Sequence, residues 1–327
     1  MKHSRILSVT MLLGAASFAF SSPFQILVSE TTMGSNPSTS DWHGIQRYGF
    51  SGTGATPTSL TGIPASSLSD PGGLFYSNGE LFVGNRHGNS FNSSISRFNY
   101  DAGTDAFTSN GTITGNGLFG VHGLAIRPGT SDLYASNVNS GLSAFSLTSS
   151  SATANGTLLS GPRRDVTFSA DGANLYASQG VNGTLTRYNF ATNSTTDYNI
   201  SGASGLHFGN WRGDHLFMGD FGSGKVYDIT FDANGAVTGS TAVASVGGAI
   251  GVAFSPDNME MFVTSHTGNS ITRFLYNTGT SSWDFEDTMA TGINMGDIQV
   301  IASVPEPASI AVLGLGALAL LRRRRKA

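Results

Sequence analysis

The chain contains no cysteine in its 327 residues. Disulfides, thiolate metal sites and cysteine nucleophiles are excluded at once. Charge is also scarce, with Asp, Glu, Lys and Arg together at 12%. No Gly-x-Ser-x-Gly elbow, complete P-loop, HExxH or HxxxH pattern occurs, so serine-hydrolase, nucleotide and zinc-protease chemistry lack a signature. What is abundant instead is Gly, at 43 residues, with Ser, Thr and Asn. That composition suits short strands joined by tight turns and fits extended helices poorly.

Charge is unevenly placed. Lys2, Arg5, Arg322–Arg325 and Lys326 hold seven of the 17 basic residues, while Glu306 is the one acidic residue of the two terminal segments. The middle of the chain keeps 10 basic and 20 acidic residues, a net charge of about −10. An acidic surface repels phosphate backbones, so no nucleic acid is expected as partner. Lys2 and Arg5 precede the mostly apolar run Ile6–Phe20 and small residues. This is the pattern of a secretory signal peptide, assigned to residues 1–22, and implies Sec export.

The last segment, residues 304–327, reads VPEPASIAVLGLGALALLRRRRKA. Ala308–Leu321 is free of charge and would extend roughly 21 Å as a helix, short of the ~30 Å hydrocarbon core. Pro305 and Pro307 mark its outer boundary. The basic block would hold the C-terminus in the cytoplasm and can snorkel to the interface. The order Pro305-Glu306-Pro307, apolar run, then Arg322, Arg323, Arg324 and Arg325 closely resembles the PEP-CTERM sorting signal of Gram-negative bacteria that make exopolysaccharide. The resemblance implies transient anchoring by a short transmembrane helix and processing by an exosortase. Release or attachment at the cell surface or extracellular matrix would follow, with exopolysaccharide a candidate partner.

Between these ends, residues 23–303 repeat one unit. A short apolar strand leads through a Pro, Gly, Asp or Asn turn to a second strand and then a third with period-two alternation. With Leu74, Leu124, Val166, Leu206 and Val252 as register marks, the steps are 50, 42, 40 and 46 residues. Four short strands in 40–50 residues make a propeller blade. Gly296–Ile301 supplies a first strand without a second, and Ile26–Glu30 a second without a first. Their pairing predicts an all-β, six-bladed propeller closed by both termini, in preference to seven blades or a pair of β-sandwiches. The turns Phe254-Ser255-Pro256-Asp257 and Phe168-Ser169-Ala170-Asp171-Gly172 resemble those of lactonase-like propellers of the NHL, YVTN and gluconolactonase-like type. That resemblance implies architecture, not activity.

Aligning the second strands sets Glu30, Asn85, Asn137, Gln179, Asp220 and Ser265 at their common end. Arg86, His87 and His266 follow directly, and loops between blades would bring His122, Arg164, Asp165 and Asp297 to the same face. By resemblance to gluconolactonases and paraoxonases, Glu30, Asn137 and Asp220 would be the ligands of an axial Ca²⁺. His122 or His266 could then act as general base on a lactone carbonyl. The alternative is that polar strand ends simply begin turns. Arg163-Arg164-Asp165 reads either as an anion site or as an Arg–Asp pair at a blade junction. Trp42, Trp211 and Trp283 would stack on sugars or fill gaps between blades. His43, His207 and His215 look scattered. The leading expectation is an exported surface or matrix protein whose propeller is a binding or scaffold module, with no required cofactor. A Ca²⁺-dependent lactonase-like hydrolase is the alternative.

Overall fold

A computed structural model describes residues 22–31, 44–86, 93–290 and 294–302. It contains 24 strands in six four-stranded antiparallel sheets. Blade 1 is built from β24 (Met295–Ala302), β1 (Phe24–Glu30), β2 (Ile45–Phe50) and β3 (Thr58–Ile63), in that spatial order. Blade 2 holds β4 (Pro71–Ser77), β5 (Glu80–Asn85), β6 (Ser94–Asp101) and β7 (Ala106–Thr114). Blade 3 holds β8 (Val121–Ile126), β9 (Asp132–Asn137), β10 (Gly141–Leu147) and β11 (Ala152–Leu159). Blade 4 holds β12 (Asp165–Phe168), β13 (Asn174–Ser178), β14 (Thr184–Asn189) and β15 (Ser194–Asn199). Blade 5 holds β16 (Leu206–Arg212), β17 (His215–Asp220), β18 (Lys225–Phe231) and β19 (Val237–Ser245). Blade 6 holds β20 (Ala249–Phe254), β21 (Glu260–Ser265), β22 (Ser270–Asn277) and β23 (Ser282–Ala290). The ring closes as the sequence predicts, with β1 and β24 paired from Phe24↔Ala302 to Glu30↔Met295.

Each blade is twisted and apolar on both faces, so the core is divided into six layers, one between each pair of neighbouring blades. Phe24, Ile26 and Phe50 of blade 1 meet Phe262 and Ile271 of blade 6. On the other side, Leu27 and Ile45 meet Leu81 and Val83 of blade 2. Trp211 and Trp283 belong to such layers. Trp211 packs on Tyr176 and donates from Nε1 to Thr167 Oγ1, and Trp283 packs on Phe217 and Phe254. Both therefore fill gaps between blades. Trp42, His43 and His87 lie outside the described residues.

The turns follow their residue chemistry. Asp171 Oδ1 and Asp257 Oδ1 each accept from the preceding Ser hydroxyl and from a backbone N–H two residues on. Asn78 and Gly79 both have positive φ in the β4–β5 hairpin, the requirement of a type I′ turn. The outermost strands are polar. β15 is almost wholly exposed and reads STTDYN, a short edge that offers little to a neighbouring sheet.

One register mark moves. In five blades the pairs Val28↔Ile298, Leu74↔Val83, Leu124↔Ala135, Val166↔Ala177 and Val252↔Val263 are equivalent. In blade 5 the equivalent pair is Gly209↔Met218, because a register shift lies between Leu206 and Gly209. The mark is thus three residues later than Leu206. Among the described residues no helix is long and apolar enough to cross a membrane. Residues 1–21 of the signal peptide, Pro305, Glu306, Pro307, the apolar run and Arg322–Arg325 lie outside them.

Candidate functional site

Side chains alternate along a strand, so one position decides whether a residue faces the axis or the blade's own loops. The six strand-end residues fall mostly on the loop side. The side-chain oxygens of Asn85, Asn137 and Asp220 accept from the backbone N–H of Ser69, Phe119 and Ser204. Each of these N–H groups lies five residues before its blade's register mark. Ser265 makes the reverse contact there, donating to the Gly247 carbonyl. These bonds bind the incoming loop of each blade to the end of its second strand. Asp220 accepts two more, from Gly205 N–H and Ser223 N–H. Asn137 also donates to the Ala135 and Gly141 carbonyls. Gln179 donates to Thr186 Oγ1. Glu30 accepts from Gln46 and lines a shallow depression with Gly44, Gln46 and Arg47. Burial raises its carboxyl to about 7, opposed by the Gln46 bond.

Calcium needs several free oxygens converging on one point. Asn137 and Asp220 have theirs taken by backbone donors, and Glu30 faces Gln46. This set does not fit the axial ion. Among the described residues no three of His, Asp and Glu are gathered to hold a metal.

The axis itself has two levels. At its waist, Asp165 and Asp297 lie in the first strands β12 and β24 rather than in the loops, on opposite blades of the ring. They share a cavity of about 70 Å³ with Leu74, Leu124, Gly209 and Gln299. Asp165 Oδ2 accepts from Gly209 N–H of blade 5, and Asp297 Oδ2 from Leu74 N–H of blade 2. Each carboxyl therefore stitches its own blade to the next. Burial raises Asp165 to about 7. Asp297 is pushed well above the carboxylate range by burial and then by the charge of Asp165.

The rim lies where the second strands end. Two positions in each blade reach it: the residue two before the register mark, and the residue after the strand-end ring. In blades 2 to 6 these pairs are Gly72/Arg86, His122/Val138, Arg164/Gly180, His207/Phe221 and Ile250/His266. Each of the five blades supplies one cation-capable side chain. The positions opposite the arginines are glycines for a steric reason. A Cβ at Gly180 would come within 2.0 Å of the Arg164 side chain, and one at Gly72 within 2.9 Å of Arg86. Gly180 also has a φ of +71°, which an L side chain adopts only under strain.

These five side chains form one network. Arg86 donates to Thr31 Oγ1 and lies 3.7 Å from the Asp70 carboxylate. Arg164 Nη1 is 3.2 Å from His122 Nε2. The His122 ring stacks on Phe208 and lies 6.4 Å from His207. Phe221 bridges His207 and His266. All three histidines are buried. Burial first, and then the neighbouring arginines, lower all three; His207 falls to about 4 and His122 well below its ordinary value. Arg164 is lowered to about 10 by burial and then by Arg86. Of the two readings of Arg163-Arg164-Asp165, the Arg–Asp pair does not form among the described residues, because the Asp165 carboxyl turns to Gly209. His207, which looked scattered, joins the rim. It occupies the same position as His122 and Arg164 once the blade 5 register is corrected. His215 sits apart, donating from Nδ1 to the Asp228 carboxylate on an outer groove.

Comparison with known proteins adds two results. Residues 303–326 match the PEP-CTERM protein-sorting motif. No curated protein matches the sequence. Among solved structures, the periplasmic gluconolactonase of Pseudomonas aeruginosa is similar, with a TM-score of 0.61 and 14% identity over 86% of this chain and 100% of that one. A chain of the nidogen–laminin complex gives 0.64 and 11% identity, over 86% and 100%. A protein from Lactobacillus plantarum gives 0.56 and 13%, over 85% and 99%. At these identities the likeness is one of fold. It places the chain among lactonase-like propellers in architecture.

Proposed function

We infer that this is an exported protein of the Gram-negative envelope or extracellular matrix, processed by an exosortase, whose propeller is a binding module held at the surface. One observation carries the reading. The sorting motif begins at residue 303, and the strand that closes the ring, β24, ends at Ala302. Cleavage at Pro305-Glu306-Pro307 would therefore remove the tail without touching any of the 24 strands. A motif of this kind implies export and surface sorting. Sec export and transient membrane anchoring fit the two terminal segments. Exopolysaccharide is a natural neighbour for such a module.

The hydrolase alternative is less well supported. It requires Glu30, Asn137 and Asp220 to offer oxygens toward the axis, and two of the three are bonded to loop amides. The test is mass spectrometry of the protein recovered from the surface of its host. The expected mature chain ends near Pro305–Pro307 and lacks the arginine block. A surface protein that retains Arg322–Arg325 would overturn the reading.

A further inference from the structure

We propose that a pocket on the face opposite the rim, between blades 4 and 5, binds one sugar residue, a hexopyranose without a carboxylate. The proposal names the ligand class of the binding module and rests on that reading. The pocket has a volume of about 300 Å³, at the small end of the range for ligand sites. Three turns enclose it: β12–β13, β16–β17 and β18–β19.

Its first support is an amide with nothing to donate to. Asn174 lines the pocket and is only 6% exposed. Its Oδ1 accepts from Asn189 Nδ2. That orientation is fixed, because Asn189 Oδ1 already accepts from the N–H groups of Ala191 and Thr192, which leaves the donor Nδ2 to face Asn174. Asn174 Nδ2 is then left with no hydrogen bond among the described residues. Gly235 keeps this donor uncovered. A Cβ there would come within 2.6 Å of both Asn174 Nδ2 and Tyr176 Oη. Tyr176 Oη already donates to the Gly235 carbonyl. Only the amide still lacks an acceptor, and a ligand hydroxyl supplies one.

The second support is what surrounds that donor. The half-buried rings of Trp211 and Phe231 line the pocket. Trp211 fills the gap between the blades, and the part of its ring left uncovered offers an apolar surface to the C–H face of a sugar. Asp171, Asp214 and Asp232 complete the lining, and no Lys, Arg or His belongs to it. Asp171 and Asp232 are held by their own turns, each with Oδ1 accepting two bonds. Asp232 Oδ2 makes no hydrogen bond among the described residues and can accept from ligand hydroxyls. Two basic groups come near. Arg187 donates to the Asn234 carbonyl of the β18–β19 turn, and His215 Nε2 lies 3.7 Å from Asp214. Three carboxylates and one amide donor beside an aromatic wall suit a ring of hydroxyls. They disfavour a uronate, whose own carboxylate would meet theirs, and they favour an amino sugar.

The experiment follows the indole N–H signal of Trp211 by NMR in the purified, unaltered protein. The probes are D-glucose, D-galactose and D-mannose, then the 2-amino and 6-carboxylate analogues of whichever binds best, and n-butylamine. The expected result is a saturable shift of Trp211 with at least one hexose below about 100 mM. The amino analogue should bind more tightly and the uronate at least about tenfold more weakly. The double variant Asp171→Asn and Asp232→Asn keeps the turn acceptors. It should raise uronate affinity at least about fivefold and remove the advantage of the amino sugar. Asp101→Asn, the same change in a turn of blade 2, should do neither. No saturable shift with any of the three hexoses, a uronate bound as tightly as its hexose, or butylamine bound where no hexose binds would each overturn the proposal. A chain that is processed at the surface yet binds no hexose loses the sugar and keeps the exported-module reading. A chain with its arginine block intact loses that reading whatever the pocket binds.

Discussion

The waist and the rim of the channel are built from the same strands and carry opposite chemistry. At the waist, two carboxyl groups from blades 1 and 4 are buried and each is bonded to a backbone amide of the next blade. At the rim, five basic side chains from blades 2 to 6 are also largely buried, yet among the described residues Arg164 forms no ion pair with an acid and His122 Nδ1 has no hydrogen-bond partner. Burial alone does not separate a structural polar group from an available one. The hydrogen-bond inventory does. The acids complete the ring, whereas at the rim the His122 Nδ1 has no hydrogen-bond partner among the described residues.

The sharpest way to test the waist is by pH. Asp165 is raised to about 7 in the folded protein from an ordinary 3.8. A raised carboxyl favours the folded state while protonated. Its contribution is full below about pH 4 and is lost as pH rises through about 7. The loss is on the order of 4 kcal/mol at most. Urea midpoints measured across this window should fall with rising pH in the parent. In Asp165→Asn the curve should be flatter, since the amide keeps an acceptor for Gly209 N–H and carries no charge. Parallel curves would show that Asp165 does not carry this dependence.

Next in size is Asp220→Ala, which removes the acceptor of three backbone N–H groups at once. A loss of about 3 kcal/mol is expected, a fall in Tm of roughly 6–12 °C for a domain of this size. The fall should be the same with calcium present or chelated. A calcium-dependent difference would restore the axial metal that the hydrogen bonds argue against.

Asp297→Asn should cost less, below about 1 kcal/mol, while Asp297→Ala strands the Leu74 N–H and should cost about 2 kcal/mol. Differential denaturation of the two variants checks this, and equal losses would mean that the stitch to blade 2 is not what Asp297 provides. The smallest effect belongs to the rim. Arg164→Gln should change the stability of the protein by no more than about 0.5 kcal/mol in the destabilising direction, because no ion pair is broken. A large loss in thermal melting would make Arg164 a structural residue and erase the contrast with the waist.

The repeat, the blade count and the closure by β1 and β24 were legible in the sequence, because period-two alternation and turn residues recur at a nearly fixed step. The site was legible in part. The sequence places His122, Arg164, Arg86 and His266 near the axis, but its alignment also points the strand-end ring there, where the structure has the next residue. A strand alternates at every step, so an alignment correct to one residue still leaves the facing undecided. His207 was missed for a different reason. The irregularity between Leu206 and Gly209 inserts residues that composition does not mark, and the register carried from blade 4 slips there. The spacing itself held the signal. With Gly209 as the mark, the steps from Val166 and to Val252 become equal. Asn85, Asn137 and Asp220 drew attention as oxygen donors. Their partners are loop amides, which no side-chain pattern reveals.

The pairing of β24 with β1 has a mechanical consequence. The rim lies at the Met295 end of β24, and the sorting motif follows the Ala302 end. A pull between the rim and a tether at the C-terminal side runs along the axis of this one strand. Its bonds to β1, from Phe24 to Glu30, are then loaded together in shear. A pull between the two chain ends would instead start at Phe24↔Ala302 and open the same bonds one after another. The protein is built to resist drag on its rim far better than to resist being peeled from its own termini.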